Sequence, residues 1–138
     1  MNILLDTSPL ISFFAEDVHT EKSIILFNDI FTGKITASIP AFVLVEFCGA
    51  LSRKAGKENA QLAFKQVQTL LNQNTLNIIP QTDETYTLAC HLALQYGIKG
   101  SDAVISALAQ QYNLTLATFD KEITNKLKNE IDLYKEFK

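Results

Sequence analysis

A chain of 138 residues is long enough to bury one continuous core and too short to build two, so a single domain spanning 1–138 is expected. Apolar residues supply 47% of it and charged residues 20%, with little Gly or Pro, which excludes a disordered, fibrous or low-complexity chain. The net charge of −3 excludes a protein that grips nucleic acid through a globally basic surface. Any attraction for phosphates must come from local patches or bound cations.

The opening stretch, Met1 to Ala15, is apolar but lacks a basic leader, carries Asp6 and is interrupted by Pro9, so it reads as part of the fold. Asn2-Ile-Leu-Leu is brief enough for a strand. Asp6-Thr-Ser-Pro then signals a helix start, with Ser8 as cap and Pro9 in the first turn of a helix running to Ala15. A second helix is expected over His19 to Phe31, stopped by Thr32-Gly33, and a strand over Ile35 to Ile39. Pro40 opens a strongly apolar helix, Ala41 to Arg53, broken near Gly56, with Glu46 inside it.

Ala60, Leu62, Ala63, Phe64, Val67, Leu70 and Leu71 recur at three- and four-residue spacing, which predicts a helix over Lys57 to Asn72. Leu76 to Ile79 follows as a strand stopped by Pro80. Asp83 to Tyr96 is helical in pattern, Gly97 and Gly100 mark a turn, and Ser101 to Tyr112 carries Ala103, Val104, Ala107 and Leu108 on one face. The chain finishes with a strand at Leu114 to Thr118, a helix at Lys121 to Lys128 and a short edge strand at Ile131 to Tyr134. Strands alternating with helices demand crossovers, so a three-layer α/β/α sandwich with a central parallel sheet of four or five strands is expected.

No run of about eighteen apolar residues occurs, so no membrane span is expected, and the chain reads as a soluble cytoplasmic protein. Cys48 and Cys90 lie in apolar surroundings without a CxxC pair, which points to buried free thiols rather than a zinc site or a disulfide framework. His19 and His91 read as surface or core residues. Two basic clusters stand out: Arg53, Lys54 and Lys57, and Lys121, Lys126 and Lys128. Taken alone they are ordinary solvated helix ends.

Four acids carry more information. In open parallel sheets ligands bind beyond the carboxyl ends of the strands. Asp6 directly follows the first strand, Asp120 comes two residues after Thr118, and Asp102 begins a helix behind the Gly100 turn. Glu46 interrupts Phe42-Val-Leu-Val and Phe47-Cys, on or beside a helix face that is otherwise apolar, where a buried carboxylate needs a partner such as a distant Arg or Lys. Taken singly, Asp6, Asp102 and Asp120 could be helix caps or first-turn acids. Gathered together, four carboxylates would repel one another unless protons or a cation intervened. All-oxygen ligands select Mg²⁺ or Mn²⁺, and carboxylates holding one or two such ions suit phosphodiester hydrolysis without a nucleophilic side chain.

At these residues the sequence resembles the PIN domains, and among them the toxin ribonucleases of VapBC toxin–antitoxin systems. The marks are Leu4-Leu-Asp6-Thr-Ser-Pro-Leu-Ile11, Glu46 in the helix after Pro40, Gly97-Ile98 to Ser101-Asp102-Ala-Val-Ile-Ser-Ala107, and Leu116-Ala-Thr-Phe-Asp120. The resemblance spans essentially the whole chain. It implies that Asp6, Glu46, Asp102 and Asp120 are metal-binding and catalytic acids, supported by the hydroxyls of Thr7 and Thr118. It implies further an RNA substrate, a homodimer and an inhibitory antitoxin whose tail enters the acidic site. Phe119 stands where the family often has a polar or basic residue, and Ile123 where it often has an aromatic.

The rival readings are a non-catalytic PIN-like module that binds RNA or protein, a phosphatase of the haloacid dehalogenase type and a response-regulator receiver. The phosphatase would need a second Asp where Ser8 stands. A receiver would need an acidic pair after its first strand and an Asp closing its third, and this chain has neither.

Overall fold

The computed structural model describes residues 1–137; Lys138 lies outside the described residues. Strand β1 (Asn2–Leu5) is the centre of the architecture, and its sequence says why. Ile3, Leu4 and Leu5 are all fully buried, and a strand apolar without alternation can satisfy that only with both faces covered. On either side of it lie β2 (Thr36–Pro40) and β4 (Thr115–Ala117), and β3 (Leu76–Ile79) completes the sheet in the order β3-β2-β1-β4. All pairings are parallel, with Leu4 opposite Ser38 on one side and Leu116 on the other.

Between β1 and β2 run α1 (Thr7–Phe14) and α2 (Thr20–Phe31), between β2 and β3 run α3 (Ala41–Ala55) and α4 (Lys57–Asn72), and between β3 and β4 run α5 (Asp83–Tyr96) and α6 (Gly100–Gln111). The first two crossovers step one way along the sheet and the third returns across it. Right-handed connections therefore put α1–α4 on one face and α5–α6 on the other, giving the expected three layers. The packing agrees: α1 lies against α2 and α3, α3 against α4, and α5 against α6. A short α7 (Lys121–Lys126) and a 3₁₀ turn at Lys135–Phe137 finish the described chain.

Three local expectations are corrected. Helix α1 begins at Thr7, capped by Asp6 rather than Ser8, because the Asp6 carboxylate accepts the Thr7 N–H at 2.8 Å. The expected edge strand at Ile131 to Tyr134 is reduced to an isolated bridge between Leu133 and Leu116, flanked by backbone bonds from Leu116 N–H to Asp132 at 2.8 Å and from Tyr134 N–H to Leu116 at 2.9 Å. The cysteines are free, as expected, but not buried: Cys90 is exposed and Cys48 only partly covered. No helix among the described residues is long and apolar enough to cross a membrane.

The topology fixes where a site can form. From β1 the chain leaves toward β2, while β4 arrives on the opposite side of β1, so the carboxyl ends of β1 and β4 flank the point where strand order switches and a crevice opens. The Asp6 N–H donates to Ala117 O at 3.1 Å and continues this pairing one residue beyond β1.

Candidate active site

A pocket of about 400 Å³ opens at that crevice, and Asp6, Glu46, Asp102 and Asp120 all line it. Each arrives from a different element. Asp6 ends β1 and caps α1, Glu46 lies in the second turn of α3, Asp102 in the first turn of α6, and Asp120 follows β4 and caps α7. Gly97 makes the α6 placement feasible. Its left-handed backbone (φ 63°, ψ 31°) closes α5, and the buried Ile98 anchors the short link into α6.

Asp6 is the hub. Besides capping α1, it accepts the Thr118 hydroxyl on Oδ2 at 2.7 Å, and Thr118 Oγ1 in turn accepts the Asp120 N–H at 3.0 Å. One buried threonine thus holds two acids in register. Thr7 does the same for a third, since its N–H goes to Asp6 while its hydroxyl donates to Glu46 Oε1 at 3.0 Å. Asp120 uses Oδ1 to cap α7 through Glu122 N–H at 2.8 Å and Ile123 N–H at 3.3 Å. Ser8, the expected cap, instead accepts the Phe119 N–H at 3.0 Å and ties the loop after β4 to α1.

Electrostatics follow from this crowding. Burial pushes the Asp6 carboxyl above its ordinary value; hydrogen bonds from Thr118 and Thr7 oppose the shift, and the charges of Glu46 and Asp120 add to it. Asp102 is only 6% exposed, and its Oδ2 is buried without a hydrogen-bond partner among the described residues. Its pKa is pushed up to about 6 by burial and by Asp120, with Lys99 pulling the other way. A buried carboxylate oxygen left unpaired is costly, so it marks a place where a cation or proton is expected.

Several sequence expectations change here. Glu46 is exposed to the pocket, and its partner is the Thr7 hydroxyl rather than an Arg or Lys. His19, half-buried, lines the pocket, and His91 is exposed. Lys99, Ser101 and Ile11 also line it and were not singled out, and Ser8 and Phe119, noted in the sequence for other reasons, line it too. The donor set is all oxygen, which suits a hard divalent cation. Among the described residues, however, no three His, Cys, Asp or Glu side chains are already arranged to hold one ion.

The chain belongs to the PIN domain family, whose model matches residues 3–128. Solved structures of similar fold include VapBC2 from Rickettsia felis bound to a DNA fragment from its promoter, 21% identical over 97% of this chain and 98% of that one, with a TM-score of 0.72. The VapC20 sarcin-ricin loop cleaving toxin of Mycobacterium tuberculosis is 16% identical over 94% and 95% of the two chains, with a TM-score of 0.71. FitAcB from Neisseria gonorrhoeae is 18% identical over 99% of each, with a TM-score of 0.69. No curated protein matches the sequence.

Proposed function

We propose that this chain is a divalent-metal-dependent endoribonuclease and the toxin of a toxin–antitoxin pair, acting as a homodimer. The observation that carries the reading is the convergence of four carboxylates from four elements on the switch-point crevice, one with an unpaired buried oxygen. Toxin–antitoxin structures among the similar folds support a protein antitoxin as partner, and the loop-cleaving toxin supports a nucleolytic role.

Asp6, Glu46, Asp102 and Asp120 would hold Mg²⁺ or Mn²⁺. When bound, such an ion supplies an activated water and neutralises charge on the phosphate and the leaving oxygen. The protein's own contribution is positional. Thr118 and Thr7 fix the Asp6 carboxylate by both oxygens, Thr118 sets the backbone of Asp120, and the first turn of α6 carries the buried Asp102 to the same pocket. Lys99 at the rim offers a cation to a phosphate oxygen.

Cleavage of structured and single-stranded RNA with Mg²⁺, Mn²⁺ or EDTA tests the reading, with Asp6→Ala and Asp102→Asn alongside. Cutting should require metal and fall in both variants by more than the 10–100-fold that losing an outer-shell partner typically costs. The carboxylates are not pre-set around one ion, which favours a non-catalytic binding module as the second reading. Stable RNA binding with no cutting under any metal would establish that module instead.

A further inference from the structure

A second cleft, of about 670 Å³, opens beside the acid pocket and shares His19 and Phe119 with it as a common wall. Its character is different. The His19 and Phe119 rings stack at 4.1 Å and 7°, Phe137 stacks on Phe119 at 4.1 Å and 21°, and Tyr134 meets Phe137 edge-on at 4.9 Å. The same cleft is lined from α7 and the turn after it by Lys121 and Lys128, both exposed and without an acidic partner among the described residues. Of the basic cluster Lys121, Lys126 and Lys128, Lys126 is paired, with Glu122 at 3.2 Å. The Lys22 ammonium donates to the Phe137 carbonyl at 3.0 Å and ties the C-terminal turn to α2 across the cleft.

Cations beside stacked rings are the elements from which single-stranded nucleic acid is held: lysines track phosphates and rings meet base faces. The acid pocket, in contrast, repels a phosphodiester until its charge is neutralised, and the whole chain is net negative. A strand entering the pocket needs cations directly alongside. Lys121 stands one residue from Asp120 and supplies one.

We propose that this cleft holds a nucleotide flanking the scissile phosphate of single-stranded RNA, with Lys121 and Lys128 on its phosphates and its base on an outer face of the His19–Phe119–Phe137 column, in which Phe119 is the sandwiched middle ring. The proposal rests on the endoribonuclease reading and names a substrate subsite for it. It also gives Phe119 a function as part of the shared wall of both cavities.

The test is fluorescence anisotropy of a labelled 2′-O-methyl oligonucleotide in EDTA, where neither metal nor cleavage contributes. Relative to the wild type, a Lys121→Ala/Lys128→Ala double variant should bind at least about 10-fold more weakly and flatten the slope of log affinity against log salt by about 1.4, the value for two single-strand phosphate contacts. Phe119→Leu, which removes the middle ring and so unseats the column, should weaken binding about five-fold or more without changing that slope, and an abasic nucleotide should abolish the difference. Unchanged affinity and slope in the exposed double variant would overturn the proposal even if Phe119→Leu misfolds. So would an acidic peptide bound through these lysines while the oligonucleotide is not. Metal-dependent cutting at unaltered KM in both variants would sink the subsite and leave the nuclease standing. Oligonucleotide binding lost in the double variant, in a protein that never cuts RNA, would sink the nuclease and keep the cleft.

Discussion

Asp102 concentrates the electrostatic conflict of the site in one side chain. Its folded pKa of about 6 lies above the ordinary carboxylate value of 3.8, so the metal-free folded state binds a proton that the unfolded chain has released. The contribution to stability is therefore intact below about pH 4 and is lost as pH rises toward 6. In EDTA at pH 7.5, Asp102→Asn should unfold several degrees higher than the wild type, and the gap should narrow as pH falls from 6 toward 4. Thermal denaturation across that range checks it, and a variant less stable than the wild type at pH 7.5 would refute the account. Asp6, Asp102 and Asp120 were legible in the sequence because each sits next to a strand end or a helix start, where a side chain's direction follows from its position. Glu46 was legible as an acid but not in its setting. Val43, Phe47 and Leu51, four residues apart, take the buried face of α3, which turns Glu46 and the 74%-exposed Val45 outward within the same apolar run. His19 and Lys99 could not be read at all, since nothing local distinguishes a residue that tertiary packing brings to a pocket rim.

At the scale of elements, the link between α1 and α2 shows how a loop that positions His19 is kept in shape. Asp17 accepts the Ser12 hydroxyl at 2.8 Å, the His19 N–H at 2.8 Å and the Lys54 ammonium at 3.3 Å, while its own N–H donates to Thr20 Oγ1 at 2.9 Å. Burial raises the Asp17 pKa, but the bonds from His19, Ser12 and Lys54 outweigh it and hold the carboxyl below 3.8. Its stabilising effect is therefore present above that value and disappears as pH falls through the lower folded one. Asp17→Asn should cost about 1–2 kcal/mol at pH 7, as expected for a partly exposed, charge-assisted set of hydrogen bonds, and close to nothing near pH 2. Urea titrations at the two pH values measure this, and an equal penalty at both would show that the charge is irrelevant. The elements themselves were largely readable. Strand β1 announced itself by three consecutive buried apolar residues, and α4 by its period. The expected strand at Ile131 to Tyr134 failed because only Leu133 bridges to β4, with Ile131 and Tyr134 packed into the core instead.

For the molecule as a whole, the sheet sorts charge as well as shape. Four acids converge at the switch point, two lysines without an acidic partner among the described residues line the neighbouring cleft, and a net charge of −3 leaves the acid crowding without global compensation. A cation that entered this pocket would relieve repulsion only in the folded state, because the unfolded chain scatters the four carboxylates. Ligand binding confined to the native state adds RT ln(1 + [L]/Kd) to stability, about 2.7 kcal/mol at a hundred times Kd. For a chain of this size that corresponds to a rise in Tm of about 5–10 °C. Millimolar Mn²⁺ or Mg²⁺ should therefore raise the melting temperature, whereas K⁺ at matched ionic strength should not, which separates specific binding from general screening. In Asp6→Ala the rise should vanish, because that substitution removes the carboxylate to which Thr7 and Thr118 anchor the neighbouring acids. An equal rise in the variant would place the ion outside this pocket. No rise in either protein, beside intact RNA binding, would mean that the acids are held apart by the fold rather than gathered for a metal.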